Sequence, residues 1–119
     1  MSIEITHNQD QNLTTLIVDG LVTADEMHHA LESIYTHEPT AFILWDMSMC
    51  DLSIVTPDEL HDFTRKAAKL GGERKEGLTA IIAPEDLHPG FTTLAKLFTN
   101  VLPFRLKIFT TQVEALDWL

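Results

Sequence analysis

The chain has a single cysteine, Cys50, in 119 residues, so no internal disulfide can form and no zinc site can be built from paired cysteines. Basic residues are also scarce. Eight Lys and Arg stand against 18 Asp and Glu, leaving a net charge of -10 and a pI near 4.8. Such a surface repels phosphate backbones and anionic lipid, which argues against nucleic acid as a partner. No apolar run approaches the roughly 20 residues needed to cross a bilayer. The opening Met1-Ser2-Ile3-Glu4 lacks both a basic patch and an apolar signal stretch. A cytoplasmic protein without membrane insertion is expected. Glycine and proline number 5 each, which excludes fibrous or long disordered compositions. A glycine-rich phosphate loop, a nucleophile elbow, a His-Glu-x-x-His helix and a recognisable triad are all missing from the sequence. The expectation is a protein that is not an enzyme and takes no cofactor and no metal.

What the chain does have is 45% hydrophobic residues in two kinds of pattern. Residues 2–6 alternate, with Ile3 and Ile5 on one side, as a half-buried edge strand does. Residues 13–18 read as a second strand, broken at Asp19-Gly20, so the chain opens on a hairpin. Thr23 with Glu26 forms a capping box, and Met27, Ala30, Leu31, Ile34 and Tyr35 then recur at helical spacing until Glu38-Pro39. Residues 41–45, Ala-Phe-Ile-Leu-Trp, are continuously apolar, the mark of a central strand covered on both faces. A loop is expected over residues 47–55. Thr56-Pro57-Asp58-Glu59 then combines an N-cap, a proline at the first helical position and a second capping box. That helix turns Leu60, Phe63, Ala67 and Leu70 inward and ends at Gly71-Gly72, where a left-handed cap is expected. Residues 78–83 form another buried strand, followed by an apolar helix reaching Leu102. Residues 105–110 are the last strand, and Thr111 with Glu114 opens a terminal helix. The pattern predicts one α/β domain over residues 1–119: a hairpin, then alternating helices and strands, giving a mostly parallel five-stranded sheet with four helices on both sides.

Three features coincide: the opening hairpin, the segment Ile43-Leu44-Trp45-Asp46-Met47-Ser48 leading to a capped helix, and the ending Glu114-Ala115-Leu116-Asp117-Trp118-Leu119. Together they resemble the SpoIIAA-like family, small bacterial proteins with the STAS fold that are also similar to lipid-binding CRAL-TRIO domains. The resemblance implies a regulatory module. Sporulation-type STAS proteins antagonise anti-sigma factors and are switched by phosphorylation of a serine in an Asp-Ser-Ser-Gly motif, at the start of the helix after the central strand. Here the corresponding slot is Thr56, within Ile54-Val55-Thr56-Pro57-Asp58, and the usual motif is absent. Thr56 is thus the candidate phospho-switch, although a capping box accounts for the same residues.

The remaining candidates follow from position. Asp46 should sit at the carboxyl end of the central strand, where open parallel sheets bind ligands, or else cap its own loop through backbone amides. Met47, Met49 and Cys50 share the expected loop, and His88 should emerge on the same edge. Cys50 has acidic neighbours, Asp46 and Asp51, which disfavour a reactive thiolate. Asp25 with His29, and His28 with Glu32, share helix faces, but two ligands do not make a metal site, and a solvated face explains them. Phe91, Leu94, Ala95, Leu97, Phe98, Val101, Leu102 and Phe104 form a band wider than one stripe, suited to core, a subunit interface in a homodimer, or the wall of an apolar pocket. The reading is a non-enzymatic module acting through protein–protein recognition. Its ligand or partner surface would draw on Asp46, Met47, Met49, Cys50, Thr56, His88, Phe91, Leu94 and Phe98. The alternative is a carrier or sensor of a small lipophilic ligand, walled by the helix from Phe91.

Overall fold

A computed structural model describes residues 3–36, 39–71, 77–84, 89–101 and 105–119. Strand β1 (Ile3–Asn8) pairs antiparallel with β2 (Leu13–Leu21). The turn between them closes on Asn12, whose φ of 53° is one that asparagine tolerates better than most residues. Asn12 also ties the hairpin to the sheet, because its carbonyl accepts from the Phe42 N–H at 3.1 Å and its Oδ1 from the Ala41 N–H at 3.2 Å. Strands β3 (Phe42–Asp51), β4 (Leu78–Ile82) and β5 (Arg105–Phe109) then add in parallel, giving the order β1-β2-β3-β4-β5.

That sequential order decides where the helices go. A right-handed crossover between neighbouring parallel strands always deposits its helix on the same face. Helices α1 (Ala24–Tyr35), α2 (Pro57–Leu70) and α3 (Pro89–Val101) therefore share one face, and α4 (Gln112–Trp118) alone serves the other. The expected two-sided cover is in fact three helices against one.

The main core lies under α1–α3 and centres on Phe63, which is 2% exposed. Its ring stacks on Phe98 at 5.5 Å and meets Trp45 edge-on at 6.0 Å. Leu16 and Val18 of β2, Ile43 and Met47 of β3 and Ile81 of β4 complete the floor. A smaller cluster on the opposite face holds Leu44, Ala80 and Ile82 beneath Ala115, with Phe109, Trp118 and Leu119 at its margin. Residues 43–45 and 79–82 are buried throughout, as continuous apolar strands between two layers must be.

The caps are as local sequence dictates. Thr23 with Glu26 and Thr56 with Glu59 form reciprocal capping boxes, and the Thr111 hydroxyl accepts from the Glu114 N–H at 3.3 Å. The end of α2 differs from expectation. Gly71 keeps a right-handed φ of -84° and donates its N–H to the Ala67 carbonyl, so no left-handed cap forms there. Gly72 and Glu38 lie outside the described residues. Asp19-Gly20 does not end β2 either: the strand continues to Leu21 through Gly20 at φ 75°, a backbone that glycine adopts without strain.

Candidate functional site

The largest departure from the sequence reading is at β3. It runs ten residues to Asp51, five beyond its last partner in β4, so residues 47–51 are strand and not loop. Asp46 lies in mid-strand, at the point where β4 stops and β2 alone continues the pairing. The β2–β3 register steps from Ile17↔Asp46 to Asp19↔Met49, so Met47 and Ser48 together oppose Val18 alone. This is a β-bulge. Asp46 holds it: its Oδ1 accepts from the Ser48 N–H at 3.1 Å and from the Ser48 hydroxyl at 2.6 Å. The carboxylate of Asp46 is thus engaged in fixing local backbone.

One extra residue reverses the alternation beyond it. Trp45 and Met47 point into the core, and strict alternation would send Met49 after them. The bulge turns Cys50 and then Leu52 inward instead, and leaves Met49 69% exposed. Burial, reinforced by the charges of Asp51 and Asp46, pushes the Cys50 thiol up to about 11, so it stays protonated at neutral pH and is a poor nucleophile.

Beyond Asp51 the chain crosses to α2 over residues 52–56. Leu52 and Val55 are core residues, and the Val55 N–H donates to the Leu52 carbonyl at 3.0 Å, which presents Ile54 outward at 51% exposure. Thr56 follows, exposed, with its hydroxyl accepting from the Glu59 N–H at 3.2 Å while Glu59 accepts from the Thr56 N–H at 2.9 Å. Asp58 joins Glu59 in the first turn. The result is an acidic edge that displays one apolar residue, Ile54, and two hydroxyl residues, Ser53 and Thr56. Ile54 carried no signal of its own in the sequence, where it lies between Leu52 and Val55 with nothing to tell which of the three faces water.

The other candidates are distributed differently. Met47, Cys50, Phe91, Leu94 and Phe98 are core residues and not part of the surface. His88, Leu102 and Phe104 lie outside the described residues, as does the side chain of Val101. Phe98 borders a cavity of about 10 Å³ that also touches Ile34, Ile43, Trp45 and Thr79. That is room for about one water, far below the several hundred Å³ of a small-molecule site. The histidines of α1 take structural and solvent positions: His28 meets Phe63 edge-on at 5.9 Å, and Glu32 pairs with Lys66 of α2, which holds its carboxyl below the usual range. Among the described residues no three of His, Cys, Asp and Glu converge to hold a metal ion, and no helix is long and apolar enough to cross a membrane.

No family model matches the chain, and neither does any curated protein. Solved structures do. An uncharacterized protein of the DUF3478 family from Shewanella loihica, with a SpoIIAA-like fold, aligns over 98% of this chain and 91% of its own at 28% identity and a TM-score of 0.62. The anti-sigma factor antagonist SpoIIAA in its unphosphorylated form aligns over 98% and 96% at 15% identity and a TM-score of 0.52. The fold is SpoIIAA-like, that is, of the STAS type.

Proposed function

We propose that this chain is a non-enzymatic regulatory module that works by protein–protein recognition. Its partner surface would be the carboxyl edge of the sheet: residues 52–56 and the first turn of α2. The observation that carries the reading is the exposed Ile54, held between two buried anchors, Leu52 and Val55, beside the capped and acidic start of α2. A pre-ordered apolar residue in a rim of fixed charge is what a recognition surface needs, because little freedom is lost on binding. The carboxylates of Asp58 and Glu59 favour a basic partner and speed its approach. The likeness to an anti-sigma factor antagonist supports a regulatory role of this kind.

Thr56 is the proposed switch. A phosphate there would gain from the N-terminal end of α2 but would take the oxygen that now caps Glu59 N–H and would repel Asp58 and Glu59. Phosphorylation would then rebuild the first turn of α2 at the edge of the partner surface. The lipophilic-carrier reading gains no such support, since Phe91, Leu94 and Phe98 spend their surface on the core.

The test uses two readouts. Protein purified from its native host and analysed by intact mass should carry a phosphoform that Thr56→Ala removes. A partner recovered with the wild-type chain, then purified and titrated against it, should bind Ile54→Lys at least about tenfold more weakly. Undiminished binding to a folded Ile54→Lys would overturn the proposed surface, and a phosphoform that survives Thr56→Ala would overturn the switch.

A further inference from the structure

The face of the sheet that carries α4 is only partly covered. Helix α4 and Leu119 pack over Leu44, Ala80, Ile82 and Phe109, with Leu13 at their margin. The upper ends of β2 and β3, and β1 beside them, have no layer above them among the described residues. Here the pairings Glu4↔Ile17, Asp19↔Met49 and Leu21↔Asp51 put three large apolar side chains on one face with three carboxylates. Ile17 is 41% exposed and Leu21 51%, and Met49 joins them because of the bulge at Met47-Ser48. Glu4, Asp19 and Asp51 are exposed around them.

We propose that this bare half-face is a docking site for a basic amphipathic helix of another protein, lying beside α4. Parallel pairs such as β2–β3 are normally covered by helices on both faces, and α4, at seven residues, leaves a gap over them where a neighbouring helix would complete the layer. Leucine-like residues of the incoming helix would cover Ile17, Leu21 and Met49, while its lysines or arginines would meet Glu4, Asp19 and Asp51. Charge complementarity selects this occupant. A second copy of this chain would bring the same three carboxylates against themselves, and anionic lipid would meet them with like charge. The site adjoins the edge surface at residues 52–56, because the Asp51 Oδ1 accepts from the Ser53 N–H at 2.9 Å, and the two are told apart by substituting Ile17 or Met49 on the half-face and Ile54 on the edge.

The experiment is an NMR titration of the isotopically labelled chain with a synthetic amphipathic peptide of leucine and lysine, beside a scrambled peptide of the same composition. Amide shifts should concentrate in β1, β2 and the second half of β3, and the scrambled peptide should bind at least about tenfold more weakly. Ile17→Lys and Met49→Lys should each weaken binding by about tenfold or more, while Ser33→Lys, on exposed α1, should leave it within about twofold. The two variants change exposed positions, and a thermal melt of each confirms that it is folded. Shifts centred elsewhere, or full affinity in both variants, would overturn the proposal. So would a peptide-free dimer that Met49→Lys dissociates, which would make a second copy the occupant. Binding to anionic vesicles that Met49→Glu abolishes would overturn it in favour of lipid.

Discussion

On one face of the sheet three helices close over Trp45, Phe63 and Phe98, while on the other a single short helix covers Leu44, Ala80 and Ile82 and leaves Ile17, Leu21 and Met49 in water. The same strands supply both faces, so the difference is not one of overall hydrophobicity. It comes from connection order, which sends every crossover helix to one side, and from a single inserted residue in β3, which sends Met49 to the other. The covered face stabilises the fold, and the half-bare face is free to do something else.

Substitutions on the two faces should separate these roles. The largest effect belongs to the covered face: Phe63→Ala should cost about 3–5 kcal/mol, read from the urea midpoint, because its ring holds Trp45, Phe98 and His28 together. At the border between the faces, Asp46→Ala should cost about 1–3 kcal/mol by removing the acceptor for the Ser48 N–H, and Asp46→Asn should recover much of it. Thr56→Ala should cost about 1 kcal/mol through the lost cap of α2, with no change in the denaturant slope. Met49→Gln and Ile17→Thr, on the bare half-face, should change stability by less than about 0.5 kcal/mol. A large loss from either would place these residues in a buried contact and erase the distinction.

Most of the covered face was legible in the sequence because its signals are local. Thr23 with Glu26 and Thr56 with Glu59 announce helix starts through bonds made within one turn, and the runs 41–45 and 78–82 announce strands hidden on both faces. The half-bare face was not legible for a matching reason. Asp46 and Asp51 look like loop residues, and nothing in Met47-Ser48-Met49-Cys50 says that one residue will be squeezed out of the ladder; that depends on pairing with β2, distant in sequence. Ile17 sits in an apolar stretch that suggests burial on both faces, and it is exposed because α1–α3 fall on the other side and α4 packs over Leu44, Ala80 and Ile82 instead. The wide apolar band of α3 was readable as packing surface, but its destination, against Phe63 and the sheet, required the fold.

The half-bare face and the inward turn of Leu52 that leads into the edge at residues 52–56 both rest on the bulge at Met47-Ser48, which points residue 50 inward and residue 49 outward. The most direct test compares thiol labelling at the two positions with a water-soluble disulfide reagent at neutral pH: the native chain, whose thiol is Cys50, against Met49→Cys placed in a Cys50→Ala background. A cysteine at position 49 should react like an exposed thiol, and Cys50, buried and with its thiol pushed up to about 11, should react at least about a hundredfold more slowly until the chain is unfolded. Equal rates at the two positions, or a faster native Cys50, would mean that β3 keeps strict alternation and would contradict the account.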